Sequence, residues 1–196
     1  VDVKNVFIAA NEMLTGVVHQ IKEDDWDISL PEHARYKDDQ TIRDIVNICA
    51  YENQCVPAML AGANDLKNNF EMTEDILGDN WLDAYTQLAN TANKAVEQQT
   101  SLDQTVHMSY GDFPADRYLN DICVQRSAVA YDVAALIGVE AHLPEEAVAG
   151  LLPIVEEFAP YLRENGIFPP AIEVDDDASP EQKLMAFMGR QPYCNA

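Results

Sequence analysis

TIRDIVNICAYENQC, residues 41–55, sets the architecture from which the rest of the chain can be read. Apolar side chains at Ile45, Ile48, Val56 and Leu60 recur at the spacing of one helical face. Thr41 stands before the run as an N-cap, and Asp44 is its return partner in a capping box, a carboxylate in place of the usual Glu or Gln. Gly62 supplies the stop. Pro57 lacks the N–H that the last turn would use and predicts a kink there.

The same periodicity runs through most of the chain. Val6, Ala10, Met13, Val17 and Ile21 predict a helix over roughly 3–23, and Trp81, Ala84, Tyr85, Leu88 and Ala92 one over roughly 80–100. A long helix from about Pro114 to Ile137 opens on a proline and closes on Gly138. Another spans about 144–164, interrupted or kinked at Pro153. Ser179, Pro180 and Gln182 form the N-cap, first position and capping-box partner of a last short helix. The polar stretch from Glu23 to Asp39 reads as a connection, and so does 62–80, with room for one helical turn. HMSYGDFP, 107–114, reads as extended or turn-like, and no strand pair with hairpin chemistry is evident. Long helices joined by polar connections predict an all-α fold, an antiparallel four-helix bundle with additional short helices. It forms a single domain over 1–196, with a C-terminal extension of about 165–196 packed on it.

Composition narrows the function. Hydrophobic residues make up 47% of the 196, enough for a packed core. The net charge of −22, from 34 acidic against 12 basic residues, argues against nucleic acid and against anionic membrane surfaces. No apolar run approaches the roughly 18 residues of a membrane span, and the start VDVKNVFIAA has no signal-peptide pattern. Cys49, Cys55, Cys123 and Cys194 match neither a zinc spacing nor a disulfide framework. They read as reduced thiols of a cytoplasmic protein.

Three segments carry a resemblance: TIRDIVNICAYENQCVPAMLAG, YGDFPADRYLNDICVQRSAVAYDVAALIG and GIFPPAIEVDDDASPEQKLMAFMGRQP. Together they resemble the DinB-like superfamily, in the branch of actinobacterial metal-binding proteins related to mycothiol-dependent maleylpyruvate isomerase. The resemblance runs over most of the chain and implies a four-helix bundle with a pocket at one end. It also implies a divalent metal held by a His of the second helix and by an acidic residue and a His of the fourth. Arg43–Asn47 match the segment before the first of these positions, which places Ile48 there. Tyr131–Ala134 match a W-D motif, which places Val129 and Gln125 at the other two. Isoleucine and valine have no lone pair, and a lone amide oxygen is a weak ligand for zinc or nickel. The resemblance therefore implies a frame kept and a metal triad lost, and the expectation is no metal and no cofactor.

A pocket emptied of its metal would be lined by Ile48, Tyr51 and Cys55 from the second helix and Ile122, Gln125 and Val129 from the fourth, with Glu52 and Arg126 as its charged pair. Glu52 in an apolar surround would have its pKa raised and serve as general acid or base, and Arg126 would neutralise a carboxylate or enolate. The competing reading makes the two an interhelical ion pair that closes the bundle. Asp132 is expected in a structural hydrogen-bonding role, Tyr131, Trp26 and Trp81 in packing, and Asp175–Asp177 in a solvated loop without calcium spacing. Three functions follow as expectations. The first is a metal-independent, cofactor-free isomerase or cyclase of specialised metabolism acting on a largely apolar small molecule. The second is a non-catalytic binding or resistance protein using the same cavity. The third is a metal-dependent thiol transferase or isomerase with atypical ligands such as Glu52 with Cys55 or Cys49. The two cysteines diverge by about 120° on an ideal helix, which counts against the third.

Overall fold

The computed structural model describes residues 1–64 and 74–193. Its elements are α1 (Val3–Val18), α2 (Ile42–Leu60), α3 (Trp81–Glu97), the strands β1 (Thr105–Met108) and β2 (Gly111–Pro114), α4 (Ala115–Ile137), α5 (Glu145–Glu164) and α6 (Pro180–Phe187). Two short 3-10 turns, Glu23–Asp25 and Glu32–Ala34, lie between α1 and α2. The fold is mostly helical, with one small two-stranded sheet.

Local chemistry explains most of the boundaries. At the head of α2 the Asp44 carboxylate accepts both the backbone N–H of Thr41 (2.7 Å) and its hydroxyl (2.9 Å), satisfying an amide that the first turn leaves over. Ser179 and Gln182 reciprocate at α6, at 2.8 and 3.2 Å. The first helix ends at Val18 rather than near 23. The reason is a new turn nucleated by Asp25, whose carboxylate takes the Lys22 N–H at 2.8 Å. Pro57 lies within α2, and α5 continues through both Pro153 and Pro160 instead of being interrupted.

One expectation is corrected. Residues 105–114 form an antiparallel hairpin, with Thr105 opposite Pro114 and Met108 opposite Gly111. Its turn, Ser109–Tyr110, lacks the Asn-Gly or Asp-Gly signal of a tight hairpin. What holds it is burial of Val106 and Met108 on one face and a contact of His107 Nδ1 with Asp112 Oδ1 at 3.0 Å on the other. The middle of the 62–80 connection, residues 65–73, lies outside the described residues.

One continuous core joins the helices. α1 buries Phe7, Ala10, Leu14 and Val17 and packs most closely against α4, while α2 packs most closely against α3. Trp26 and Trp81 meet edge to face with centroids 4.6 Å apart, the packing role expected of them. α2 and α4 touch more sparingly, and this separation leaves room for a cavity.

The C-terminal segment is tied down through Asp132. Arg190 donates to both oxygens of this buried carboxylate, at 2.6 and 3.1 Å, and to the Met188 carbonyl at 2.7 Å. His33 Nε2 lies 3.3 Å from the same carboxylate. Two segments distant in sequence therefore meet on one side chain of α4. Gly189 allows the approach: it has φ 74°, and a Cβ there would lie 2.7 Å from the Pro170 carbonyl oxygen. Asp175–Asp177 are exposed, as a solvated loop should be.

Burial pushes the Asp132 carboxyl up, but hydrogen bonds from His33 and Arg190 and the Arg190 charge outweigh it and hold it below the usual carboxylate range. A depressed native pKa stabilises the fold above the unfolded value of about 3.9 and loses that contribution as pH falls through the lower native value. The Asp132 contribution is thus expected to be intact at neutral pH and to fade below about pH 4. Asp132→Ala leaves a buried guanidinium unmatched and is expected to cost about 3–5 kcal/mol in urea unfolding at neutral pH, and much less in strong acid.

Candidate functional site

The stripe Ile45, Glu52, Cys55 and Met59 on α2 faces the stripe Tyr118, Ile122, Gln125 and Val129 on α4 across a cavity of about 760 Å³. Both stripes follow the helical period, so each presents its side chains to one side. Ile154 and Phe158 of α5, with Ile167 and Phe168 beyond it, form the far wall. Met108 and Tyr110 of the hairpin and residues 33–36 complete the rim. The wall is predominantly aliphatic and aromatic.

Of the residues singled out in the sequence, Tyr51, Glu52, Cys55, Ile122, Gln125 and Val129 line this cavity. Two do not. Ile48 lies on the α2 stripe but is partly buried against the core, away from the lining. Arg126 is wholly buried behind the wall. An α4 residue next to Gln125 is turned by about 100° around the helix, which takes it from the cavity face into the protein interior.

Arg126 is the centre of a polar network. Its Nη1 donates to Glu52 Oε2 at 2.7 Å and to Gln125 Oε1 at 3.0 Å, and its Nη2 to the Cys49 carbonyl at 2.9 Å. A longer contact, 3.4 Å, reaches Asn53 Oδ1. Asn53 Nδ2 donates in turn to Asn11 Oδ1 at 3.2 Å, and Asn11 Nδ2 to Asn93 Oδ1 at 2.9 Å. On the cavity side Gln125 Nε2 donates to Glu52 Oε1 at 2.9 Å and to the Tyr36 hydroxyl at 3.1 Å. A line of hydrogen bonds thus crosses from α3 through α1 and α2 to the cavity wall. The interhelical ion pair is present. The apolar surround expected for Glu52 is corrected, because both of its oxygens accept hydrogen bonds.

At the hairpin end a second polar chain closes on itself. Tyr110 donates its hydroxyl to Asp121 Oδ2 at 2.9 Å, and Arg117 Nε lies 2.9 Å from Asp121 Oδ1. The Arg117 guanidinium also stacks over the Phe158 ring, 4.2 Å from its centroid.

The thiols are poor nucleophiles here. Burial pushes Cys49 up to about 12, so it stays protonated in the core. Burial also raises Cys55, against the lowering effect of its hydrogen bond with Tyr51. The metal implied by the resemblance does not fit these residues either. Ile48 and Val129 offer no donor atom, and the Gln125 amide is engaged at both ends. Glu52 with Cys49 or Cys55 fares no better, since the carboxylate already faces a guanidinium. Among the described residues no cluster of three His, Cys, Asp or Glu side chains is placed to hold an ion.

Tyr118 was not singled out from the sequence. It is 7% exposed, lines the cavity and lies one turn before Ile122 on the same stripe. Extending the Ile122–Gln125–Val129 spacing one turn toward the N-terminus of α4 would have found it. In comparisons with known protein families, with curated proteins and with solved structures, no match is found.

The network predicts an asymmetry. Glu52→Leu leaves the buried Arg126 charge without its counterion and is expected to lower unfolding free energy by about 3–5 kcal/mol. Glu52→Gln keeps a hydrogen-bond acceptor and is expected to cost less, about 1–3 kcal/mol. Denaturant titration of the two variants checks the order.

Proposed function

We propose that this protein takes a small, largely apolar molecule into the cavity between α2 and α4, and that it does so without the metal its resemblance implies. In this reading the long helices form a DinB-like antiparallel four-helix bundle whose pocket has been turned over to an organic ligand. The observation that carries the proposal is the cavity: its volume falls within the roughly 300–1,000 Å³ usual for small-molecule sites. Its wall is mainly apolar, with a few polar groups gathered at Glu52, Gln125 and Tyr36.

The enzymatic form of this reading is a cofactor-free isomerase or cyclase, with Glu52 at the cavity wall moving a proton to or from the bound molecule. Arg126 touches no ligand in that scheme; it is a positioning residue that fixes the Glu52 carboxylate. A non-catalytic binding or resistance protein is the second reading. It is favoured by the engagement of both Glu52 oxygens, which leaves binding as the function asked of the cavity with least rearrangement.

The apolar dye Nile red is expected to bind the full chain with a blue-shifted emission. Ala128→Trp, which projects an indole into the cavity from α4, is expected to weaken that binding by about tenfold or more with the melting transition retained. Unchanged dye binding in a folded Ala128→Trp variant would sink the site assignment. Once a substrate is found, Glu52→Gln separates the two forms: an enzyme loses about 10²–10⁴ in turnover with binding kept, whereas a binding protein shows no turnover to lose. Protein purified without chelator is expected to carry no stoichiometric zinc or nickel by elemental analysis.

A further inference from the structure

The cavity contains a hydrogen-bond donor that the protein leaves unused. Tyr118 is nine-tenths buried and lines the cavity, and its hydroxyl has no hydrogen-bond partner among the described residues. The polar groups beside it are engaged elsewhere: Glu52 and Gln125 within the Arg126 network, and Tyr110 on Asp121, which also forms an ion pair with Arg117. A phenol on the cavity wall with no protein partner is free to donate to a bound molecule. We infer that the Tyr118 hydroxyl is the recognition donor for a neutral oxygen acceptor on the ligand, so that the cavity takes an apolar ketone, quinone, lactone or similar carbonyl compound rather than a carboxylate. This inference rests on the cavity's being the binding site.

Charge excludes the anion. The two inner guanidinium groups each have a carboxylate, Arg117 with Asp121 and Arg190 with Asp132, while Arg35 is partly exposed and lies 3.9 Å from the exposed Asp38. His33 shares Asp132, and Arg126 behind the wall is matched by Glu52. A ligand carboxylate inside the cavity would lie near Glu52, Asp121 and Asp132, whose own cations are already engaged, with only Arg35 at the rim to meet it. A carbonyl oxygen meets no such cost. Burial first, and then the Glu52 carboxylate, push the Tyr118 phenol upward, so it stays protonated and able to donate. The apolar wall of Ile122, Val129, Phe158 and Phe168 suits the hydrocarbon body of such a molecule.

Three probes of nearly one shape test this: methyl naphthyl ketone, ethylnaphthalene and naphthoate, titrated calorimetrically into the full chain at neutral pH. Wild type is expected to bind the ketone and the hydrocarbon, and to bind naphthoate weaker than the ketone by about tenfold or more. Tyr118→Phe removes a hydroxyl that has no protein partner, so folding should be unaffected. It is expected to weaken the ketone about fivefold, the value of one net hydrogen bond, and to leave ethylnaphthalene unchanged. The carbonyl stretch of the bound ketone should lie at lower frequency in wild type than in the variant. Equal ketone binding by wild type and Tyr118→Phe, or naphthoate binding as tight as the ketone, overturns the inference while the cavity assignment stands. If wild type binds neither neutral probe, or if Ala128→Trp blocks neither, the cavity assignment falls and takes this inference with it.

Discussion

A guanidinium cannot be stripped of water without a counter-charge, and Arg126 is the largest wholly buried side chain among the described residues. Arginine keeps its proton in proteins, so the fold must answer the charge. It does so with one carboxylate, one amide and one main-chain carbonyl, drawn from α2 and α4. That requirement ties together two helices that otherwise touch only sparingly. Without it, α2 would be secured by its packing on α3 and α4 by its packing on α1, and little would specify the distance between them. The network is a specificity device in this sense, with a modest net contribution to stability and a large cost if broken.

The cavity follows from the same arrangement. Helices held apart by a polar cross-piece, rather than drawn together by interdigitating aliphatic side chains, leave space beside the cross-piece. Here the space is walled by α5 and the segment after it and rimmed by the hairpin and residues 33–36. Two further polar ties limit how far it can collapse or open. Asp132 binds the C-terminal segment and His33 to α4. Asp121 binds the hairpin to α4 through Tyr110, with Arg117 stacked on α5. Each tie joins a carboxylate of α4 to cationic or phenolic groups of other segments. Glu52 of α2, engaged by Arg126, is the third carboxylate bound in this way at the cavity.

In the proposed reading, Ile48, Gln125 and Val129 stand at positions where a metal-binding relative would carry its ligands. Val129 joins the apolar wall. Gln125 becomes a bridge between Arg126, Glu52 and Tyr36, and Ile48 retires into the core packing. Together these residues offer a cation nothing to bind and an apolar molecule a surface to lie on. The functional reading therefore depends on side-chain chemistry at the site and not on the frame, which hosts more than one chemistry.

What could be read from the sequence alone was whatever depends on near neighbours along the chain. The helical period, the capping pairs Thr41–Asp44 and Ser179–Gln182, and the glycine stop after Ile137 involve residues within a turn or two of one another. Their energetics are complete before any tertiary contact forms. The same locality shows which residues share a face of α2 and which share a face of α4, whereas the expectation that the two faces meet came from the resemblance. The hairpin escaped because its turn carries no strong local signal and its strands are held by burial of Val106 and Met108. The burial of Arg126, the spare hydroxyl of Tyr118 and the clasp of Arg190 on Asp132 were also decided by tertiary structure. Arg190 and Asp132 lie 58 residues apart, and Arg126 and Glu52 lie 74 apart. Whether such groups meet is a matter of how helices pack, and a rotation of one position around α4 separates a cavity-lining residue from a buried one.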